Sequence, residues 1–142
     1  MREIILIAGL PGSGKSFLGT QIAHREGYAF LDDASRHLDL TRGTAEQLLR
    51  YADQPGLVIA DPFLCLKNGI VNARAILSMA FPSVPVRLIC FENDPTQCRR
   101  NVNERADDRV VLDFITALSE VWDPRAVPDC EIRAVYSPTC KA

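Results

Sequence analysis

The residues best equipped for chemistry in this chain are Gly9-Leu10-Pro11-Gly12-Ser13-Gly14-Lys15-Ser16. They fit G-x-x-x-x-G-K-[ST], a phosphate-binding pattern. Glycines at Gly9, Gly12 and Gly14 let successive backbone N–H groups, with that of Ser13, approach an anion without side chains in the way. Lys15 adds a mobile cation for the outer phosphates, and Ser16 offers a hydroxyl to Mg²⁺. Average residue usage would produce the pattern by chance in roughly one such chain in a few hundred. A strand before it and a helix after it make coincidence rarer still, and the chain supplies both.

Two acidic stations follow downstream. Asp32-Asp33-Ala34-Ser35-Arg36-His37 comes after a second apolar run, and Asp61-Pro62 after a third. A carboxylate beside a phosphate loop can take a proton from an attacking hydroxyl, or hold Mg²⁺ directly or through water. Asp33 and Arg36, three apart, suit one substrate, the acid on its hydroxyl and the guanidinium on an anionic group. The structural alternative is that Asp32 or Asp33 caps a turn. Asp61 ends its run as a metal- or substrate-holding acid would; its alternative is to stop the strand with Pro62.

The stretch Arg99-Arg100-Asn101-Val102-Asn103-Glu104-Arg105-Ala106-Asp107-Asp108-Arg109 is rich in arginine. Phosphoryl transfer needs cations over the migrating group and exclusion of water, so residues 99–110 read as a lid with Arg105 and Arg109 as its working cations. A solvated face with Glu104, Asp107 and Asp108 as partners is the plain alternative. His24 reads as a surface residue. His37 stands near the substrate acids, and Arg74 suits either substrate or a surface ion pair.

These residues need elements to position them. Residues 3–8 form a continuous apolar run, as a strand buried on both faces does. Residues 16–25 read as a helix with Phe17, Leu18, Ile22 and Ala23 on one face and Gly27 as its stop. Strands follow at 28–32, 57–60, 86–91 and 131–135. Helices are predicted at 44–53, with a Thr44-x-x-Gln47 capping box and Ala45, Leu48, Leu49 and Ala52 inward. Others fall at 70–80 and at 95–105 behind the cap Asp94. The last, at 110–122, turns Val111, Phe114, Ile115, Leu118 and Trp122 inward. Strands alternating with helices imply an α/β fold with a five-stranded parallel sheet covered on both faces. Ligands in such sheets bind at the carboxyl ends of the strands, where the loop and both acids fall.

At 142 residues the chain has the length of a single domain, 1–142. It contains no apolar stretch of membrane-spanning length. Its first strand leaves no room for a leader peptide, which points to the cytoplasm. Cys65, Cys90, Cys98, Cys130 and Cys140 are odd in number and form no C-x-x-C pair, the pattern of incidental thiols rather than zinc ligands or a disulfide framework. A net charge of −2 argues against a broad duplex-binding surface, though not against gripping one strand end with a few arginines.

With loop, acids and arginine stretch in view, the chain resembles the small P-loop kinases, the group that includes polynucleotide 5′-hydroxyl kinase, gluconate kinase, shikimate kinase and chloramphenicol phosphotransferase. The opening from Ile4 to Ser16 is especially similar to the polynucleotide kinase start. The resemblance implies a three-layer P-loop fold, ATP and Mg²⁺, and a phosphate acceptor. Asp33-Ala34-Ser35-Arg36 matches that family's Asp-x-x-Arg, implying Asp33 as general base and Arg36 on the acceptor phosphate. It aligns Asp61 with the acid after the third strand, and Arg105 or Arg109 with the lid arginine. The acceptor is expected to be a polynucleotide 5′ end or a nucleotide or nucleoside, with a small metabolite as alternative. An NTPase switch is disfavoured because Asp61 is followed by Pro62-Phe63 rather than Asp-Glu. A catalytically silent scaffold fits poorly with intact Lys15, Ser16 and Asp33.

Overall fold

The computed structural model describes residues 1–34, 45–104 and 109–138. Strand β1 (Ile4–Ala8) is fully buried along its length, as its unbroken apolar run requires. It lies at the centre of a sheet with β2 (Ala29–Asp32), β3 (Leu57–Ala60), β4 (Val86–Phe91) and β5 (Cys130–Arg133), in the order β2-β3-β1-β4-β5. All four pairings are parallel. Each of the large aliphatic side chains of β1 contributes about 1.5–3 kcal/mol by burial, so this strand anchors the core.

Helix α1 (Lys15–Glu26) joins β1 to β2, moving toward one edge of the sheet. The short α2 (Ala45–Leu48) leads into β3, and α3 (Gly69–Ala80) joins β3 to β4, both moving the other way. Right-handed crossovers therefore put α1 on one face and α2 and α3 on the opposite one. Connections leave β1 and β3 on opposite faces, and the two strands are neighbours. A crevice opens there at the carboxyl edge. Helices α4 (Pro95–Glu104) and α5 (Arg109–Ser119) pack together as a hairpin after β4. Among the described residues no helix is long and apolar enough to cross a membrane.

Strands β3 and β4 fall on their predicted residues. Helix α1 stops at Gly27, whose N–H bonds to the Ala23 carbonyl. Asp94 caps α4, its carboxylate accepting from the Gln97 N–H at 3.2 Å. Other expectations are corrected. The helix predicted at 44–53 gives way after Leu48 to a tight 3-10 turn, Leu49–Tyr51, which leaves Leu49 exposed. Residue 44 and its capping box lie outside the described residues. The helix predicted to reach 122 ends at Ser119. There the Asn93 side-chain amide donates to the carbonyls of Ser119 at 2.8 Å and Trp122 at 2.9 Å, drawing the chain out of the helix. Trp122 still turns inward, its indole N–H donating to the Phe91 carbonyl at 3.0 Å. Strand β5 ends at Arg133 instead of residue 135.

Candidate functional site

The loop leaves the buried end of β1 and turns back on itself before α1. Gly12 and Gly14 both have left-handed backbones, with φ of 83° and 112°. A Cβ on Gly12 would also stand 2.6 Å from the Cys98 carbonyl oxygen and 2.8 Å from Val102. Only glycine meets both demands, conformational and steric. Gly9 leaves space for Ser13, whose hydroxyl is buried and lacks a partner.

Lys15 opens α1 and is buried. Its ammonium donates to the Leu10 carbonyl at 2.9 Å. Burial pushes its pKa below the ordinary value, while the fields of Cys65, Asp33, Cys98 and Asp61 act the other way. A desolvated cation attracts an anion more strongly than an exposed lysine would. The glycine cradle and this cation fit a nucleotide polyphosphate. Burial raises the thiols of Cys65 and Cys98 to about 12, against the pull of Lys15, so both stay protonated at neutral pH.

The two acidic stations divide their tasks. Asp33 adopts a left-handed backbone with φ 47°, and its N–H donates to the Asp32 carboxylate at 3.1 Å. Asp32 thus engages its neighbour's N–H, and Asp33 lines the cavity beside Lys15. A left-handed non-glycine residue costs about 1 kcal/mol or more, a strain found at functional sites. Asp61 is almost fully buried, and its Oδ1 accepts from the Phe63 N–H at 2.7 Å, capping the 3-10 turn Pro62–Cys65. The structural alternative for Asp61 is therefore real, and its charge still reaches Lys15. Ser16 is exposed at the cavity wall. Among the described residues no three His, Cys, Asp or Glu side chains gather as a metal cage. A magnesium ion held through one or two protein oxygens and substrate phosphates needs none.

The cavity holds about 800 Å³ and runs from the loop to Asp33, Phe63, Glu104, Phe114 and Tyr136. Arg36, His37 and Arg105 lie outside the described residues. Arg109 is the first residue of α5. His24 is exposed in the last turn of α1, as expected. Arg74 lines a second cavity of about 510 Å³ with Trp122 and Val127, away from the loop. Cys65, Cys90 and Cys98 are buried free thiols and Cys130 a half-buried one; Cys140 lies outside the described residues.

Several site residues escape sequence reasoning. Asn101, on α4, donates to the carbonyls of Gly12 at 2.8 Å and Tyr136 at 2.7 Å. Tyr136 in turn donates its N–H to the Ser13 carbonyl at 2.9 Å. Phe17, expected in the core, is 60% exposed and meets the Tyr136 ring at 5.8 Å. Phe63 meets Phe114 at 5.2 Å. No local pattern announces these contacts; exposed aromatic residues near a motif are the one available signal.

No family model matches the chain. It is 34% identical to uncharacterized protein R277 of Acanthamoeba polyphaga mimivirus, over 95% of this chain and 98% of that protein. Among solved structures it is similar to a gluconokinase from Sinorhizobium meliloti 1021, with a TM-score of 0.63 and 20% identity, over 96% of this chain and 84% of the other. It is also similar to the Mycobacterium tuberculosis APS kinase solved with AMPPNP and APS, with a TM-score of 0.58 and 19% identity, over 94% and 88%.

Proposed function

As this chain belongs to one family with mimivirus protein R277 and has the small P-loop kinase fold, we propose that it is an ATP- and Mg²⁺-dependent phosphotransferase. It works as one domain in the cytoplasm. Its acceptor is a polynucleotide 5′ end, a nucleotide or a nucleoside. The observation that carries this reading is the buried Lys15 of a glycine-hinged loop in one cavity with Asp33.

The loop amides and Lys15 bind the phosphates, and the positive end of α1 adds to their field. Mg²⁺, when bound, neutralises phosphate charge, and Ser16 with Asp61 behind it would hold it. Asp33 accepts the proton of the acceptor hydroxyl as that oxygen bonds to the γ-phosphorus. The bond from the γ-phosphorus to the β–γ bridging oxygen breaks, and ADP departs with that oxygen. Arg36 holds the acceptor's anionic group, and Arg105 or Arg109 stabilises the migrating phosphoryl group.

The likeness to a gluconokinase favours a sugar acid as the second acceptor class. The test uses γ-labelled ATP with Mg²⁺ against 5′-hydroxyl oligonucleotides, nucleosides, nucleoside monophosphates and sugar acids. Label should move to one class, and Lys15→Ala and Asp33→Asn should each lose it. Label released only as free phosphate, unchanged in Asp33→Asn, would overturn the kinase reading in favour of an NTPase.

A further inference from the structure

Three aromatic side chains are left exposed by this fold, and all three line the cavity beside Lys15. They are Phe17 at 60%, Phe63 at 43% and Tyr136 at 43%. The remaining aromatic residues are buried or half-buried. One of those, Phe114, stands against Phe63 in the same cavity. Exposed rings concentrated in one concavity mark a surface for an apolar or aromatic ligand rather than a random surface.

The rings form two pairs on opposite flanks of the phosphate loop. The loop leaves β1, the middle strand of the order β2-β3-β1-β4-β5. Tyr136 follows β5 and grips Ser13 from that flank, with Phe17 against it. Phe63 follows β3, and Asp33 follows β2, on the other flank. The cavity therefore offers one aromatic surface on the far side of the phosphates and another on the side of the acid that would receive the acceptor's proton.

We propose that Phe63, backed by Phe114, is the surface on which the acceptor presents a planar base, so that the acceptor is a nucleoside unit, free or at a strand end, rather than a sugar acid. The proposal rests on the phosphotransferase reading for its assignment of flanks. Pro62 and Val111 extend the wall with apolar surface. The rings offer a sugar acid's hydroxyls and carboxylate no hydrogen-bond partner. A base has an apolar face for the ring, and stacking tolerates any base identity.

Equilibrium titration of the full chain, saturated with AMPPNP, tests this without requiring turnover. The probes are adenosine, a 5′-hydroxyl DNA hexamer, the same hexamer with an abasic first position, ribose and gluconate. Adenosine or the intact hexamer should bind at least about fivefold more tightly than its base-free counterpart. Phe63→Ala should remove that advantage, Phe63→Trp should retain it, and Phe17→Ala should leave it in place. Tighter binding of adenosine assigns a free nucleoside; preference for the hexamer assigns a strand end. Equal affinity with and without the base, preference for gluconate, or a loss in Phe17→Ala but not Phe63→Ala would overturn the proposal. A base preference that depends on Phe63, together with no label transfer to any acceptor, would uphold this inference while sinking the kinase reading.

Discussion

The side-chain amide of Asn101 donates to the Gly12 carbonyl across 2.8 Å, joining positions 89 residues apart. Its second hydrogen goes to the Tyr136 carbonyl at 2.7 Å, and its oxygen accepts from Gln97 at 2.9 Å. One buried side chain thus ties the phosphate loop, helix α4 and the segment after β5. The same helix carries Arg99 and Arg100, the start of the arginine stretch.

Asn101→Asp keeps the shape and loses both donors, placing a carboxylate against two carbonyls. A stability loss of about 2 kcal/mol or more is expected, from acceptors left unpaired in a buried place. Chemical denaturation measures it. The KM for ATP should rise more than kcat falls, since the loop loses its hold while Asp33 is untouched. An unchanged denaturation midpoint would refute this tie.

Gly12→Ala should abolish phosphate binding even where the protein folds. The new methyl group meets the Cys98 carbonyl and Val102, and φ of 83° adds strain. A cost of about 1–3 kcal/mol is expected from the backbone strain alone. Thermal denaturation with and without AMPPNP reads both effects: a lower Tm, and no upward shift on adding nucleotide.

Lys15→Met should separate stability from function. The lysine is held buried with its pKa lowered, chiefly by desolvation. Unfolding therefore favours the protonated form, and the folded protein carries that penalty at neutral pH. Replacing the cation with an apolar chain of similar length should raise Tm by about 2 °C or more while eliminating nucleotide binding. A fall in Tm would show that the Leu10 bond outweighs desolvation.

Cys65 gives an alkaline signature. Its folded thiol lies at about 12 against an ordinary 9.0, raised first by burial. A raised folded pKa means stability present below pH 9 and lost as pH climbs from 9 toward 12. Cys65→Ala removes this dependence and leaves those of Cys98 and Lys15 in place. The stability gap between wild type and variant should narrow above pH 9, by at most about 1.4 kcal/mol per pH unit. Urea midpoints at pH 7, 9 and 10 check it; a constant gap would contradict the buried, protonated thiol.

Legibility in the sequence followed how local each determinant was. Strands β3 and β4 match their predicted residues because each is a mostly apolar run entered from a proline-bearing turn, at Pro55-Gly56 and at Pro85. The segment at 44–53 misled because its helical periodicity is overridden by a tight turn that exposes Leu49. Phe17 misled for a related reason. Helical spacing put it with Leu18 and Ile22, yet it lies beside the loop, where Tyr136 meets it.

The sequence by itself determined the phosphate loop, the alternating strands and helices, and the acids at the strand ends. Those follow from glycine conformations, apolar periodicity and right-handed crossovers, all of them short-range rules. Only the tertiary structure decided that Asp33 lines the cavity, that Arg74 belongs to a different cavity, and that Asn101 clamps Gly12. These outcomes depend on partners brought together by sheet order, and residues 35 and 89 positions apart carry no mark of one another in a linear chain.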